Sequence, residues 1–311
     1  MNPEFYDNPA LLAQYEEAKA AMQVENWHEA ADLLAELYEE IGTWDLNYRL
    51  VTALFMDEQY QLAENYSDDF LDDYFQSDDT FRLILQLAVY NQQFIYARQL
   101  IYSVADKTQQ AKWLAEVNLA EEQAQETMAT TLKTVARQFY HMSDYGFEEQ
   151  RQRYEAGRRL PLDLFVNGAK FLLVDPFTLP VIRASLLEDL QKLKIDEAVD
   201  YRWIDEEVYA VNPAQLPALV DNPIFLAVGD KIQQALAQTD PIALGMLLQD
   251  ARLQLGLAHP QIERVVQNVD AWVDAALDLY YGRQTTHEPA EQAAYHLQIL
   301  QLTQDLFRDE D

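Results

Sequence analysis

The chain has no cysteine. Disulfides, thiolate nucleophiles and cysteine-held zinc or iron–sulfur centres are therefore excluded, and the reducing cytoplasm is the expected compartment. Backbone breakers are also scarce: there are 8 glycines in 311 residues, and of 11 prolines only Pro3 and Pro9 precede residue 160. Helix interiors exclude both residue types, so a first half this poor in them is expected to be helical. The N-terminus has no basic segment leading into an apolar run, and no stretch reaches the length of a membrane span. Neither a secretory leader nor a membrane anchor is expected.

Positive charge is in short supply. Lys and Arg number 22 against 53 Asp and Glu, a net charge of -31. Nucleic-acid affinity comes from cations that displace phosphate counterions, and this chain presents the opposite field. Anionic membrane surfaces repel it for the same reason. A basic protein or peptide is compatible with such a surface, and so is acidity kept for solubility alone. With 49% hydrophobic residues, the acidity does not signal disorder.

Motifs that carry chemistry are missing as well. No glycine-rich phosphate loop, dinucleotide fingerprint or serine between glycines occurs. Among five histidines, only HEPAEQAAYH at 287–296 suggests a metal, through His287 and Glu291. The zinc-protease pattern needs a second histidine where Glu291 stands, and Pro289 sets His287 ahead of the helix. No metal, cofactor or catalytic residue is expected, and the chain reads as a non-enzyme.

What is present is a recurring phrase: ENWHEA at 25–30, EQYQLA at 58–63 and QQFIYA at 92–97. Each places an aromatic three residues before an alanine: Trp27 and Ala30, Tyr60 and Ala63, Phe94 and Ala97. Amphipathic segments precede the phrases, over 10–24, 46–57 and 80–91, and follow them, over 28–41, 61–74 and 95–106. Three helical hairpins are predicted, with units over 10–41, 46–74 and 80–106. The aromatic fills the bend, and the alanine lets the paired helices close.

A period near 34 with these landmarks resembles the tetratricopeptide repeat (TPR). Ala18 matches the family's small residue in the first helix, whereas Val51 and Leu85 replace it in the next two units. No proline closes a unit, and the turn glycine is missing. From 107 to 142, Trp113, Val117, Ala124, Met128, Leu132, Val135 and Phe139 predict one long amphipathic helix, or two joined by a kink. It is expected to cap the stack and complete a repeat domain over 1–142.

Residues 143–311 are expected to form a second, mostly helical domain. Arg151, Arg153, Arg158 and Arg159 surround a helix ending near Gly157 and are expected to pair with acidic neighbours. Helices follow over 161–174 and 177–194. Alternation in AVDYRW and VYAV predicts a small β-hairpin over about 198–211. Pro223, Pro241, Pro260 and Pro289 mark later helix starts. The wording of this half resembles that of bacterial TPR proteins in which a repeat array precedes a helical domain with a hairpin. The expected fold class is all-α: a TPR-like helical-hairpin array followed by that domain.

The TPR resemblance implies a concave groove lined by the first helix of each unit. The matching positions are Tyr15, Lys19, Tyr48, Thr52, Phe55, Arg82, Gln86 and Tyr90. Aromatics supply contact area, and the two cations are suited to a carboxylate. A separate feature is the acidic run Asp68, Asp69, Asp72 and Asp73. On a continuous helix its i,i+4 pairs cost roughly 0.2–0.5 kcal/mol each. The run either meets a basic partner or is a solvated face. The implied function is a non-enzymatic protein- or peptide-binding scaffold or adaptor, chaperone-like in kind. The alternative is a regulatory protein sensing a small peptide; an enzyme with an unfamiliar site ranks last. Leu297, Leu300, Leu302 and Phe307 on the last helix face either the core or a second subunit.

Overall fold

The computed structural model describes residues 8–284 and 288–305, and these are overwhelmingly helical. No helix among them is long and apolar enough to cross a membrane. The chain divides into two compact units, Met1–Thr127 and Met128–Asp311.

The first unit holds α1 (Pro9–Gln23), α2 (Trp27–Glu40), α3 (Trp44–Met56), α4 (Tyr60–Ser67), α5 (Leu71–Tyr74), α6 (Asp78–Tyr90), α7 (Phe94–Ser103) and α8 (Lys107–Thr127). Consecutive helices pack on one another: α1 on α2, α2 on α3, α3 on α4, α4 on α6, α6 on α7 and α7 on α8. The three sequence phrases are three copies of one turn. Trp27, Tyr60 and Phe94 are the first residues of α2, α4 and α7. Two residues earlier, Glu25, Glu58 and Gln92 adopt left-handed φ values of 59°, 61° and 59°. Each turn then closes the preceding helix with the same pair of hydrogen bonds. In the first copy, Glu25 N–H donates to the Met22 carbonyl at 3.2 Å and Asn26 N–H to Ala21 at 2.9 Å. The bonds of Glu58 and Gln59, and of Gln92 and Gln93, repeat the pattern. This is a Schellman closure without the glycine that usually carries it.

The alanine prediction holds: Ala30, Ala63 and Ala97 are each 0% exposed. Phe94 is buried, as expected of a ring at the bend, whereas Trp27 and Tyr60 are only half-buried. Tyr60 instead stacks on Tyr90, centroids 4.5 Å apart, so its covering comes from the next hairpin. Val51 and Leu85 are buried, so the bulk found where TPR units keep a small residue is accommodated in the core.

One helix breaks where continuity was expected, and another takes the kinked form of its two expected alternatives. The segment 61–74 is interrupted by a 3-10 turn at Asp68–Phe70, and Phe70 leaves the helical region at φ -132°, ψ 30°. Of the two forms expected over 107–142, the structure has two helices, α8 and then α9 (Ala129–Tyr140), meeting at Met128 with φ -121° and ψ 22°. Only α8 covers the last hairpin. Trp113 lies 4.6 Å from Phe81, and Arg98 of α7 donates two hydrogen bonds of 2.8 Å to Glu121. Both partners of that bidentate pair are buried, so removing one leaves an uncompensated charge, which costs about 3–5 kcal/mol. A second buried polar centre is Asn47. Its amide donates to the Tyr66 carbonyl at 2.7 Å and accepts from Tyr74 at 2.8 Å, tying α3 to α4 and α5.

The second unit therefore begins fifteen residues before the expected boundary, because α9 packs on α10 (Phe147–Gly157) and α11 (Leu162–Leu172). Phe139 of α9 is the wedge. A Cβ built on Gly157 would stand 2.7 Å from Phe139 Cε2, and one on Gly168 would stand 2.7 Å from Cδ1 on the ring's other edge. Both glycines are thus spent on close approach rather than on turns. Arg151, Arg153 and Arg158 pair with Glu148, Glu149 and Glu155, as expected of that cluster.

After α12 (Pro180–Lys192), the predicted hairpin forms from β1 (Val199–Arg202) and β2 (Val208–Val211), with Val199 opposite Val211 and Tyr201 opposite Tyr209. Val199, Tyr201 and Trp203 are buried, which supplies the packed face that a lone hairpin needs. Trp203 Nε1 donates to the Ala258 carbonyl at 3.0 Å. The Arg264 guanidinium lies 4.6 Å from the Trp203 ring and bonds Asp205, Tyr209 and Tyr295. Helices α13 (Pro223–Leu236), α14 (Pro241–Ala258), α15 (Ile262–Val265), α16 (Val269–Tyr280) and α17 (Ala290–Asp305) complete the unit. Pro223 and Pro241 occupy first-turn positions as expected, whereas Pro260 and Pro289 precede their helices.

Gly168→Ala is expected to destabilise the protein by about 1–3 kcal/mol despite the higher helix propensity of alanine, because Phe139 is blocked on both sides. Glu58→Gly works in the other direction, relieving a left-handed backbone for a gain of about 0.5–1 kcal/mol. Urea unfolding of both variants beside the parent chain measures each effect.

Candidate functional site

The eight groove positions divide among α1 (Tyr15, Lys19), α3 (Tyr48, Thr52, Phe55) and α6 (Arg82, Gln86, Tyr90). Spacings of three and four put each set on one helix face. None of the eight is buried; Arg82 and Tyr90 are exposed and the others half-buried. The opposite faces are core, with Ala18 and Ala21 on α1, Leu46, Leu50 and Leu54 on α3, and Phe81 and Ile84 on α6.

The three faces touch. Tyr15 hydroxyl donates to Asp45 Oδ2 at 3.3 Å, joining α1 to α3, and the Arg49 guanidinium stands 5.7 Å from the Tyr15 ring. Phe55 meets Tyr90 edge to face at 5.5 Å, joining α3 to α6. Burial raises the Tyr15 hydroxyl above its ordinary value of 10.0, with Arg49 pulling against it, so this phenol stays a donor. Lys19 pairs with Glu16 at 3.0 Å in an exposed i,i+3 contact. That pair is worth little and yields readily to a stronger partner. The Thr52 hydroxyl donates to the Tyr48 carbonyl at 2.7 Å and leaves only lone pairs to offer. Sequence reasoning missed Trp44, Asp45 and Arg49. Trp44 lies 5.7 Å from Tyr48 and 4.6 Å from Tyr74, and Arg49 pairs with Asp45 at 3.0 Å. The four-residue spacing of Asp45 and Arg49 was the available signal.

The acidic run has a different character from the one expected. Because the helix breaks at Asp68–Phe70, Asp68 and Asp69 are no longer helical neighbours of Asp72 and Asp73. The repulsion argued from a continuous helix does not arise. Asp72 and Asp73 instead open α5, where the dipole favours anions. Asp69 accepts a 2.7 Å hydrogen bond from Tyr38, whose hydroxyl is pushed up to about 12, by burial first and by Asp69 next. Burial, then Asp69, raises the Asp68 carboxyl. Asp69 therefore has an internal structural role in holding Tyr38.

A cavity of about 590 Å³ lies within the second unit, between α12, α14, α17 and the 3-10 turn at Leu219–Asp221. Its apolar wall includes Val181, Ala184, Leu253, Leu257 and Leu300. Its polar lining includes Ser185, Glu188, Asp250, Gln254, His259 and Thr303. Sequence reasoning missed it because its three helices lie far apart in the chain and none of their residues forms a motif. His259 Nε2 lies 3.1 Å from the Pro217 carbonyl and must donate to it. Burial lowers the His259 pKa below 6.5, outweighing that hydrogen bond and the carboxylates of Glu188 and Glu263. Leu300 lines this cavity, while Leu297 is exposed and Leu302 half-buried.

His287 and Phe307 lie outside the described residues. Glu291 Oε2 accepts from Gln267 Nε2 at 2.8 Å. Among the described residues, no group of three or more His, Asp or Glu could hold a metal ion. Comparisons with protein-family models, curated proteins and solved structures found no match to this chain.

His259 sets a pH dependence of definite sign. The unfolded chain binds a proton near the ordinary value of 6.5, and the folded chain resists until lower pH. Its contribution to stability is intact above pH 6.5 and is lost as the pH falls through the folded value. NMR titration of the imidazole, with unfolding compared between parent and His259→Gln on either side of pH 6.5, measures it. A parent stability that rises on acidification relative to the variant contradicts the burial.

Proposed function

We propose that the first unit is a TPR-like, non-enzymatic peptide-binding scaffold that takes an extended segment of a partner protein across the joined faces of α1, α3 and α6. One observation carries this reading: the first helices of three like-turned hairpins leave their aromatic and cationic side chains accessible, and these touch from helix to helix through Tyr15–Asp45 and Phe55–Tyr90. A row of accessible rings on rigid helices gives contact area at small entropic cost. Tyr48 and Tyr90 supply the apolar anchors, and Arg82 supplies a carboxylate partner. Lys19 joins when it exchanges Glu16 for the ligand. The large negative charge disfavours nucleic acid as the occupant.

The test is selection of peptides from an unbiased library on the full chain, followed by fluorescence anisotropy. Tyr48→Ala and Arg82→Glu are each expected to weaken the selected peptides about tenfold, the equivalent of about 1.4 kcal/mol. Circular dichroism should show both variants folded, with the melting curve of Arg82→Glu matching the parent because Arg82 is exposed. Full retention of binding by both variants rejects the groove.

A further inference from the structure

The cavity of the second unit has an uneven hydrogen-bonding balance. Gln254 is 7% exposed, and its Oε1 atom is buried without a hydrogen-bond partner. An orphaned acceptor of this kind costs about 1–3 kcal/mol and is stabilised by any ligand that brings a donor. The neighbouring hydroxyls cannot serve. Ser185 Oγ donates to the Val181 carbonyl at 2.9 Å, and Thr303 Oγ1 to the Leu300 carbonyl at 3.0 Å. The Gln191 amide donates to the Leu216 carbonyl at 2.9 Å, and His259 Nε2 donates to Pro217. Each of these groups has given a proton to backbone and keeps lone pairs, and Gln191 keeps one further N–H. The neutral His259 ring likewise keeps Nδ1 as an acceptor. Glu188 and Asp250 add two carboxylates, of which Glu188 is partly engaged by Lys192 at 2.8 Å. The remaining donors are the second Gln191 N–H, the Gln254 Nε2 and the exposed side chains of Gln249, Arg252 and Gln304; Asp250 is on an exposed residue as well.

We propose that this cavity binds an aliphatic ammonium, its cationic head among Gln254 Oε1 and the carboxylates of Asp250 and Glu188 and its hydrocarbon against Ala184, Leu257 and Leu300. An ammonium has three donors and no acceptor, the complement of a lining that is rich in acceptors. The apolar wall excludes a fully hydrated inorganic cation as the better occupant, since such an ion gains nothing from hydrocarbon. The volume falls within the range of small-molecule sites, about 300–1,000 Å³. The chain's charge of -31 raises the local concentration of cations around the mouth. The same head group occurs on free amines and on lysine side chains, and the two sources are separable by experiment.

Isothermal titration calorimetry of the full chain with n-hexylamine, n-hexanol, hexanamide and hexanoate tests the assignment at about 0.15 M salt, where exposed charges are screened beyond about 8 Å. Hexylammonium is expected to bind at one saturable site, at least about tenfold tighter than the other three. Gln254→Leu should weaken it about tenfold, and Ala184→Phe should abolish it by filling the wall. Asp72→Asn, in the first unit, should leave it unchanged. Circular dichroism checks each variant for folding, and the four-ligand ranking on the parent chain stands even if one variant fails to fold. Titration with Nα-acetyl-lysine methylamide then separates the sources. Affinity equal to that of hexylamine assigns a lysine of a peptide, and weaker binding assigns a free amine. No saturable binding, a ranking led by hexanol, hexanamide or hexanoate, or full affinity in folded Gln254→Leu overturns the proposal.

Discussion

The architecture of the first unit depends on how closely two helices approach at Ala30, Ala63 and Ala97. A methyl group is the largest side chain these positions hold, and all three are sealed from solvent. The approach is possible only because the chain reverses within a short bend, with Glu25, Glu58 or Gln92 in a left-handed conformation. In most proteins glycine takes that role, since a side chain costs about 1–2 kcal/mol there. The cost is offset by the closing pair of backbone bonds and by the apolar surface each hairpin buries, where one Leu contributes about 1.5–3 kcal/mol. Lys194, at φ 56° after α12, closes with the same two bonds. The device therefore belongs to both units.

What the sequence disclosed follows from which signals are local. The alanine-and-aromatic phrase marks a bend and a close contact, both set by residues within one turn, and the helix starts at Trp27, Tyr60 and Phe94 agree with it. The hairpin was legible because Val199, Tyr201 and Trp203 alternate with polar residues. The break at Phe70 was not, and the kink allowed for within 107–142 could not be placed at Met128, because neither residue is proline or glycine and the apolar spacing runs on through both. There, tertiary packing overrides a pattern that a continuous helix would also satisfy. Arg264, which ties the β1–β2 loop to α17 through Asp205 and Tyr295, carries no local mark. Nor does Arg98, whose partner Glu121 lies 23 residues away.

The two candidate surfaces differ in kind. On α1, α3 and α6 the accessible side chains are rings and cations in contact with one another, suited to a long ligand lying across several helices. In the second unit, polar groups line a partly open cavity, and those of Ser185, Thr303 and His259 already donate to backbone carbonyls. Their chemistry selects by hydrogen-bond polarity rather than by shape. The acidic run falls in neither class, because Asp69 serves the Tyr38–Asn47 network that joins α2, α3 and α4.

Phe139 illustrates a further consequence of building with close contacts. A benzene ring with the bare Cα positions of Gly157 and Gly168 close against its two edges, and stacked on Phe165 at 5.4 Å, is tightly confined about its own axis. Each half-turn is expected to wait on α10 and α11 moving apart. The exchange of its two ortho protons is therefore a clock for the breathing of this helical layer, read from a single residue without touching the fold.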